Sequence, residues 1–95
     1  MENEKQVTYI PEKLSERLSE YGKKMRVTAT AVYLHLVIEC SKNNTHETDL
    51  TDEQLSQIVG VSLSTIRRSL TKLDKYNFIK RKRIGVRRKI TLLDF

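Results

Sequence analysis

Between Thr51 and Leu70 the chain signals a helix start, a helix stop and a second helix start. Thr51 followed three residues later by Gln54 is a capping box, in which the hydroxyl takes a backbone N–H inside the helix and the amide reaches back. A helix is therefore predicted from Asp52, burying Leu55, Ile58 and Val59. Gly60 stops it, because a residue without Cβ enters the left-handed region at no steric cost. Ser62 caps the next helix, whose apolar members Leu63, Ile66, Leu70 and Leu73 step by three, four and three and form its core face. The opposite side holds Ser64, Arg68, Thr71, Lys72 and Lys75. Asn77, second only to Gly in a left-handed position, is where this helix should end. Two short amphipathic helices joined by a tight turn cannot enclose their own apolar faces, so the rest of the chain must supply a core.

The chain has 95 residues, the size of one domain, and its 38% apolar share can seal one small core. We read residues 1–95 as a single, mainly α domain with a small β-hairpin: an N-terminal extension and helix over 1–27, core helices over 28–77, and the hairpin over 78–93. Val7 to Ile10 suits a short extended piece, and Pro11 fits the first turn of a helix carrying Leu14, Leu18, Tyr21 and Met25 on one stripe. That stripe serves either core packing or a dimer seam. Gly22 with Lys23, Lys24 and Arg26 suits the C-terminus of this helix, where cations meet the negative end of the macrodipole. Thr28 is the expected N-cap of a second helix running from Ala29 to about Lys42. Its apolar residues Val32, Tyr33, Leu34, Leu36, Val37, Ile38 and Cys40 go nearly all round the wheel, the pattern of a helix enclosed by neighbours. Ser41 to Asp49 reads as a polar loop.

Eighteen Lys and Arg against twelve Asp and Glu leave a net charge of +6, which favours polyanionic partners. Up to Thr48 the two signs balance at seven each, whereas from Asp49 onward eleven basic residues face five acidic ones and hold the whole excess. Seven of those eleven fall in KRKRIGVRRK, Lys80 to Lys89, with no acid among them. A block of like charge can be a solvated tail. Here Ile84, Val86, Ile90, Leu92 and Leu93 supply strand formers and Gly85 supplies a turn residue, so the run reads as a folded basic hairpin with strands near Phe78–Ile84 and Val86–Leu93.

The run LSQIVGVSLSTIRRSL, Leu55 to Leu70, resembles the helix-turn-helix family. Leu55, Ser56, Val59, Gly60, Val61, Ser62, Thr65, Ile66 and Leu70 each hold a residue type that family uses at that step, with Ser56 in place of the more usual Ala. The continuation STIRRSLTKLDKYNFIKRKRIGVRRKITLL looks like the recognition helix and wing of winged helix-turn-helix proteins, with Asn77 where a Gly is usual. Nearest in flavour are bacterial repressors of the multiple-antibiotic-resistance and GntR types and the N-terminal domains of plasmid and phage replication proteins. The resemblance implies a three-helix core plus an N-terminal helix and a C-terminal two-stranded wing, with the helix-turn-helix over 52–76. It implies a cytoplasmic homodimer that binds double-stranded DNA sequence-specifically, as a transcriptional regulator or as a plasmid or phage replication or partition factor. No cofactor, membrane or small-molecule substrate belongs to that reading, and no sensing domain is expected after the wing unless the sequence is a piece of a longer initiator.

In that reading the helix after Ser62 enters the major groove, where Ser64, Thr65, Arg67 and Arg68 contact bases, Arg68 foremost. Arg67 lies nearer the flank and has Asp74 or Asp52 as alternative partners. Ser62, Lys72, Lys80, Arg81, Lys82, Arg83, Arg87, Arg88 and Lys89 contact phosphate, which positions the protein without conveying sequence. Arg83 and Arg87, beside the hairpin tip, are the candidates for a minor groove. The alternative is a winged-helix RNA-binding or protein-interaction module without base readout. A weaker likeness, to ribbon-helix-helix chains, covers VTYIPEKLSERLSEYGKKMRVTATAVYLHLVIEC, but Val7 and Tyr9 alternate with no basic residues on the strand that would read DNA.

Enzyme classes are disfavoured: the chain shows no paired carboxylates in an apolar setting, no nucleophile with its base and no Gly-rich phosphate loop. Cys40, His35 and His46 match no zinc spacing, so no metal is expected and Cys40 reads as a buried free thiol in a reducing compartment. Nothing resembles a secretory segment, and the most apolar stretch, Ala29 to Cys40, is broken by Thr30, His35 and Glu39.

Overall fold

The computed structural model describes residues 12–18 and 22–93, and its centre is the helix whose apolar residues go nearly all round. In chain order the elements are α1 (Glu12–Leu18), α2 (Lys23–Lys42), β1 (Glu47–Thr48), α3 (Asp52–Val59), α4 (Leu63–Lys75), β2 (Ile79–Ile84) and β3 (Arg87–Leu92). Val32, Tyr33, Leu36, Val37 and Cys40 of α2 are fully buried, sharing one core with Leu55 of α3, Ile66, Leu70 and Leu73 of α4, and Ile79, Ile90 and Leu92 of the strands. Tyr33 meets Phe78 edge to face, ring centroids 6.2 Å apart.

The N-terminal helices divide differently from the sequence expectation. The stripe expected through Leu14, Leu18, Tyr21 and Met25 does not belong to one helix: Leu14 and Leu18 lie in α1, whereas Met25 belongs to α2, which begins at Lys23. Gly22 is the extended N-cap of α2, and Thr28 lies inside that helix rather than at its start. Gly serves at either end of a helix, so its presence between two helical patterns does not say which one it closes. Lys23, Lys24 and Arg26 consequently sit at the positive end of the α2 dipole, the reverse of the expected placement. Leu14 and Leu18 are fully buried, so this part of the stripe packs on the core. Val7–Ile10, Pro11 and Tyr21 lie outside the described residues.

The expected loop over Ser41–Asp49 contains β1, which turns the two-stranded wing into a three-stranded antiparallel sheet of order β1-β3-β2. Glu47 faces Thr91 and Thr48 faces Ile90, while the hairpin runs in register from Ile79 opposite Leu92 to Ile84 opposite Arg87. Gly85 takes φ 64° at the first of the two turn positions, which a side chain would disfavour and which fits the right-handed twist of the strands.

Both helix ends in the paired-helix unit follow the sequence. Thr51 and Gln54 form the reciprocal capping box, and Gly60 closes α3 at φ 84°. Ser56 does more than leave room for the helix crossing, because its hydroxyl donates to the Val61 carbonyl and its own carbonyl accepts from the Gly60 and Val61 amides. α4 ends in a Schellman arrangement, with Phe78 N–H on the Leu73 carbonyl (2.9 Å), Asn77 N–H on Asp74 (3.0 Å) and Asn77 at φ 65°. Two predicted core residues sit further out: Ile58 is 47% exposed and Leu63, the first residue of α4, is only half-buried.

Cys40 is fully buried, and burial first, then the Glu39 and Glu47 carboxylates, push its thiol up to about 11. Alkylation at neutral pH should therefore be limited by opening of the fold, and labelling of the native protein at the rate of a free thiol would contradict this packing.

Candidate nucleic-acid interface

With Ile66, Ser69, Leu70 and Leu73 buried, α4 turns Ser64, Arg68, Thr71 and Lys75 outward on one exposed stripe. Thr71 and Lys75, outside the expected contact set, join this stripe, as their spacing of three and seven from Arg68 in the sequence implies. Arg68 is exposed and pairs with no carboxylate among the described residues. Thr65 is half-buried on one flank, its hydroxyl 2.9 Å from that of Ser62. Ser62 is the N-cap, accepting from Thr65 N–H at 3.2 Å, so part of its hydrogen-bonding capacity is committed to the helix. Lys72 is half-buried on the same side of the helix as Thr65.

Arg67 occupies the other flank, where its Nε donates to Asp52 Oδ2 at 3.2 Å, and it remains 60% exposed. Of the two alternative partners, Asp52 is the one it meets. Asp74 instead takes Arg81 of β2, Nε to Oδ2 at 3.0 Å.

Strand alternation divides the basic run between two faces. Residues directly opposite in the register share a face, so Ile79, Arg81, Arg83, Arg88, Ile90 and Leu92 lie on the side that covers the core, and Lys80, Lys82, Ile84, Arg87, Lys89 and Thr91 lie on the other. Two of the seven cations are committed to the fold. Arg81 is held by Asp74, and Arg88 donates to Asp52 Oδ1 and to the Leu50 carbonyl, each at 2.6 Å. Its side chain is only 21% exposed, so the phosphate contact expected of Arg88 competes with an internal double anchor. Arg87 is loosely near Asp49 at 3.9 Å, while Lys80, Lys82, Arg83 and Lys89 have no carboxylate partner among the described residues. Lys82 directly faces Lys89, a cross-strand repulsion that a polyanion laid on the hairpin would relieve.

Burial would raise the Asp52 carboxyl, but hydrogen bonds and charge from Arg88, then from Arg67, outweigh it and hold the group below its ordinary 3.8. The ion pairs Arg67–Asp52–Arg88 thus tie a flank of α4 to the hairpin through the first turn of α3. Beside them, the hairpin tip and the start of α3 enclose an open cleft of about 620 Å³ lined by Asp49, Thr51, Glu53, Gln54, Arg83 and Arg87, among others. The two carboxylates in its wall oppose an anion seated there.

Among the described residues no helix is long and apolar enough to cross a membrane, and no cluster of three or more His, Cys, Asp or Glu could hold a metal ion. No curated protein and no solved structure matches the chain. Residues 45–90 match the family model of the DeoR-like helix-turn-helix domain, a stretch that covers β1, α3, α4, β2 and β3 as far as Ile90. The chain therefore has a winged helix-turn-helix fold, a helical core closed by a three-stranded antiparallel sheet, and over residues 45–90 it is similar to a DNA-binding family.

Proposed function

We propose that the chain binds double-stranded DNA sequence-specifically, with α4 in the major groove and the hairpin on the adjoining backbone or minor groove. It acts as a homodimeric cytoplasmic regulator of transcription or as a plasmid or phage replication or partition factor. The observation that carries this reading is the outward stripe Ser64, Arg68, Thr71 and Lys75, on a helix whose Arg67 flank is tied through Asp52 to a hairpin with four cations lacking a carboxylate partner among the described residues. An exposed Arg on such a stripe can fork onto guanine O6 and N7, while hydroxyls accept or donate as the base requires. Thr65 and Arg67 extend the base-reading set to the two flanks. Ser62, Lys72, Lys80, Lys82, Arg83, Arg87 and Lys89 are the phosphate contacts, with Arg81 and Arg88 serving chiefly to hold the hairpin.

Selection from a random duplex pool, sizing of the complex and salt titration of selected and scrambled duplexes test this. Arg68→Ala should lower discrimination roughly 5- to 150-fold, the worth of one bidentate base contact. Lys82→Ala should weaken every duplex alike and reduce the salt slope by about 0.9, one released counterion. Equal effects from both variants would remove the division between reading and gripping. Indifference to sequence at every salt concentration would favour the RNA-binding or protein-interaction module, because phosphate contacts from the hairpin cations carry no sequence information.

A further inference from the structure

Asp52 lies in the first turn of α3 and touches both elements that the proposed function uses. Its Oδ1 is fixed by Arg88, which is itself fixed on the Leu50 carbonyl, and its Oδ2 accepts from Arg67 Nε. The carboxylate is 18% exposed, whereas the Arg67 side chain stands mostly in solvent. A guanidinium carries five N–H donors in a rigid fork, and the bond to Asp52 uses the single one on Nε. The two terminal nitrogens make no hydrogen bond to any described residue. A carboxylate clamped from behind therefore sets the plane of Arg67 and leaves the end of the fork open.

We infer that Arg67 is a base-reading arginine held for guanine by Asp52, which acts as a positioning residue setting specificity at one base pair. With Nε occupied, only the terminal pair can make a bidentate contact. Two acceptors side by side are offered by guanine O6 and N7, while adenine offers one acceptor and one donor, and thymine one acceptor and a methyl group. A flexible Arg would lose much rotamer freedom on reaching that geometry; one already anchored loses less. The ion pair to Asp52 thus prepares Arg67 for a base rather than withdrawing it. The inference rests on the reading of α4 as a major-groove helix.

Duplex selection with the wild type, Asp52→Asn, Arg67→Lys and the double variant tests it. The wild type should enrich a motif containing one guanine that Arg67→Lys alone releases, preference there falling roughly tenfold because lysine keeps the charge and loses the fork. Asp52→Asn should weaken preference at the same position only. Scrambled duplexes should bind it as well as or better than the wild type, since a negative charge near the phosphates is gone. In the Arg67→Lys background Asp52→Asn should change that preference no further. Parallel weakening of selected and scrambled duplexes by Asp52→Asn, or an altered preference at every position or at none, would overturn the inference while the proposed function stood. A wild type that enriches no sequence would overturn both. Should Asp52→Asn not fold, Arg67→Lys decides alone, by whether one guanine is released.

Discussion

Leu70→Ala should destabilise the domain by about 2–5 kcal/mol, the cost of a fully buried leucine reduced to a methyl group with partial collapse of the cavity. A chain of this length has roughly 5–14 kcal/mol in total, at ~0.05–0.15 kcal/mol per residue, so a large part of the margin is lost. Each kcal/mol corresponds to a fall in Tm of roughly 4–8 °C for a domain of this size. Leu70 lies on the buried face of α4, which packs on α2, and it sits directly behind the outward stripe. The effect should therefore reach DNA binding through the fraction folded. Thr71→Ala, at the exposed neighbour, should stay within about 0.5 kcal/mol in stability, as surface substitutions do. Urea unfolding of the two variants checks this, and a loss below about 1 kcal/mol for Leu70→Ala would show that α4 is not seated on α2 as described.

Arg88→Ala should cost about 1–3 kcal/mol, because it strips Asp52 of its shorter ion pair and leaves the Leu50 carbonyl without that donor. The partly buried Asp52 retains Arg67, which keeps the loss below that of an isolated buried charge. The same pair makes a pH prediction. Asp52 is held below 3.8 in the folded protein, so the unfolded chain takes up the proton first as the solution is acidified. Its contribution is complete above the unfolded value and is lost as pH falls through the folded one. Urea midpoints of the wild type should accordingly decline below about pH 4, and Arg88→Ala should flatten that decline. An unchanged acid limb in Arg88→Ala would show that Asp52 is governed by Arg67 alone. Lys82→Ala, by contrast, should leave stability nearly intact, which separates the two roles within one basic run.

The helices flanking Gly60 and the start of the hairpin were legible because their signals are local: a capping box, a left-handed Gly, a hydroxyl N-cap and an Asn beyond the last turn. The boundary at Gly22 was not, since the glycine suits both ends and the basic cluster beside it favoured the wrong one. β1 has two residues, below any periodicity, and exists only because β3 offers it a pairing edge. Ile58 obeys the helical spacing but faces outward and stays about half exposed. In the interface, composition located the positive charge, while the split between Arg88, turned inward, and Lys82, turned outward, follows from strand register. Register depends on partner and turn, so a count of charges could not supply it. The sequence offers Asp52 as one of two partners for Arg67, but Arg88, far from it in sequence, reaches it only through the fold.

Among the described residues the order β1-β3-β2 leaves β2 as an edge strand, a place where another extended chain could add itself. That margin reads Ile-Lys-Arg-Lys-Arg-Ile, and two such strands laid side by side would bring eight cations together. Like charge along that margin disfavours such edge-to-edge pairing, so the cations that suit a polyanion also oppose strand addition.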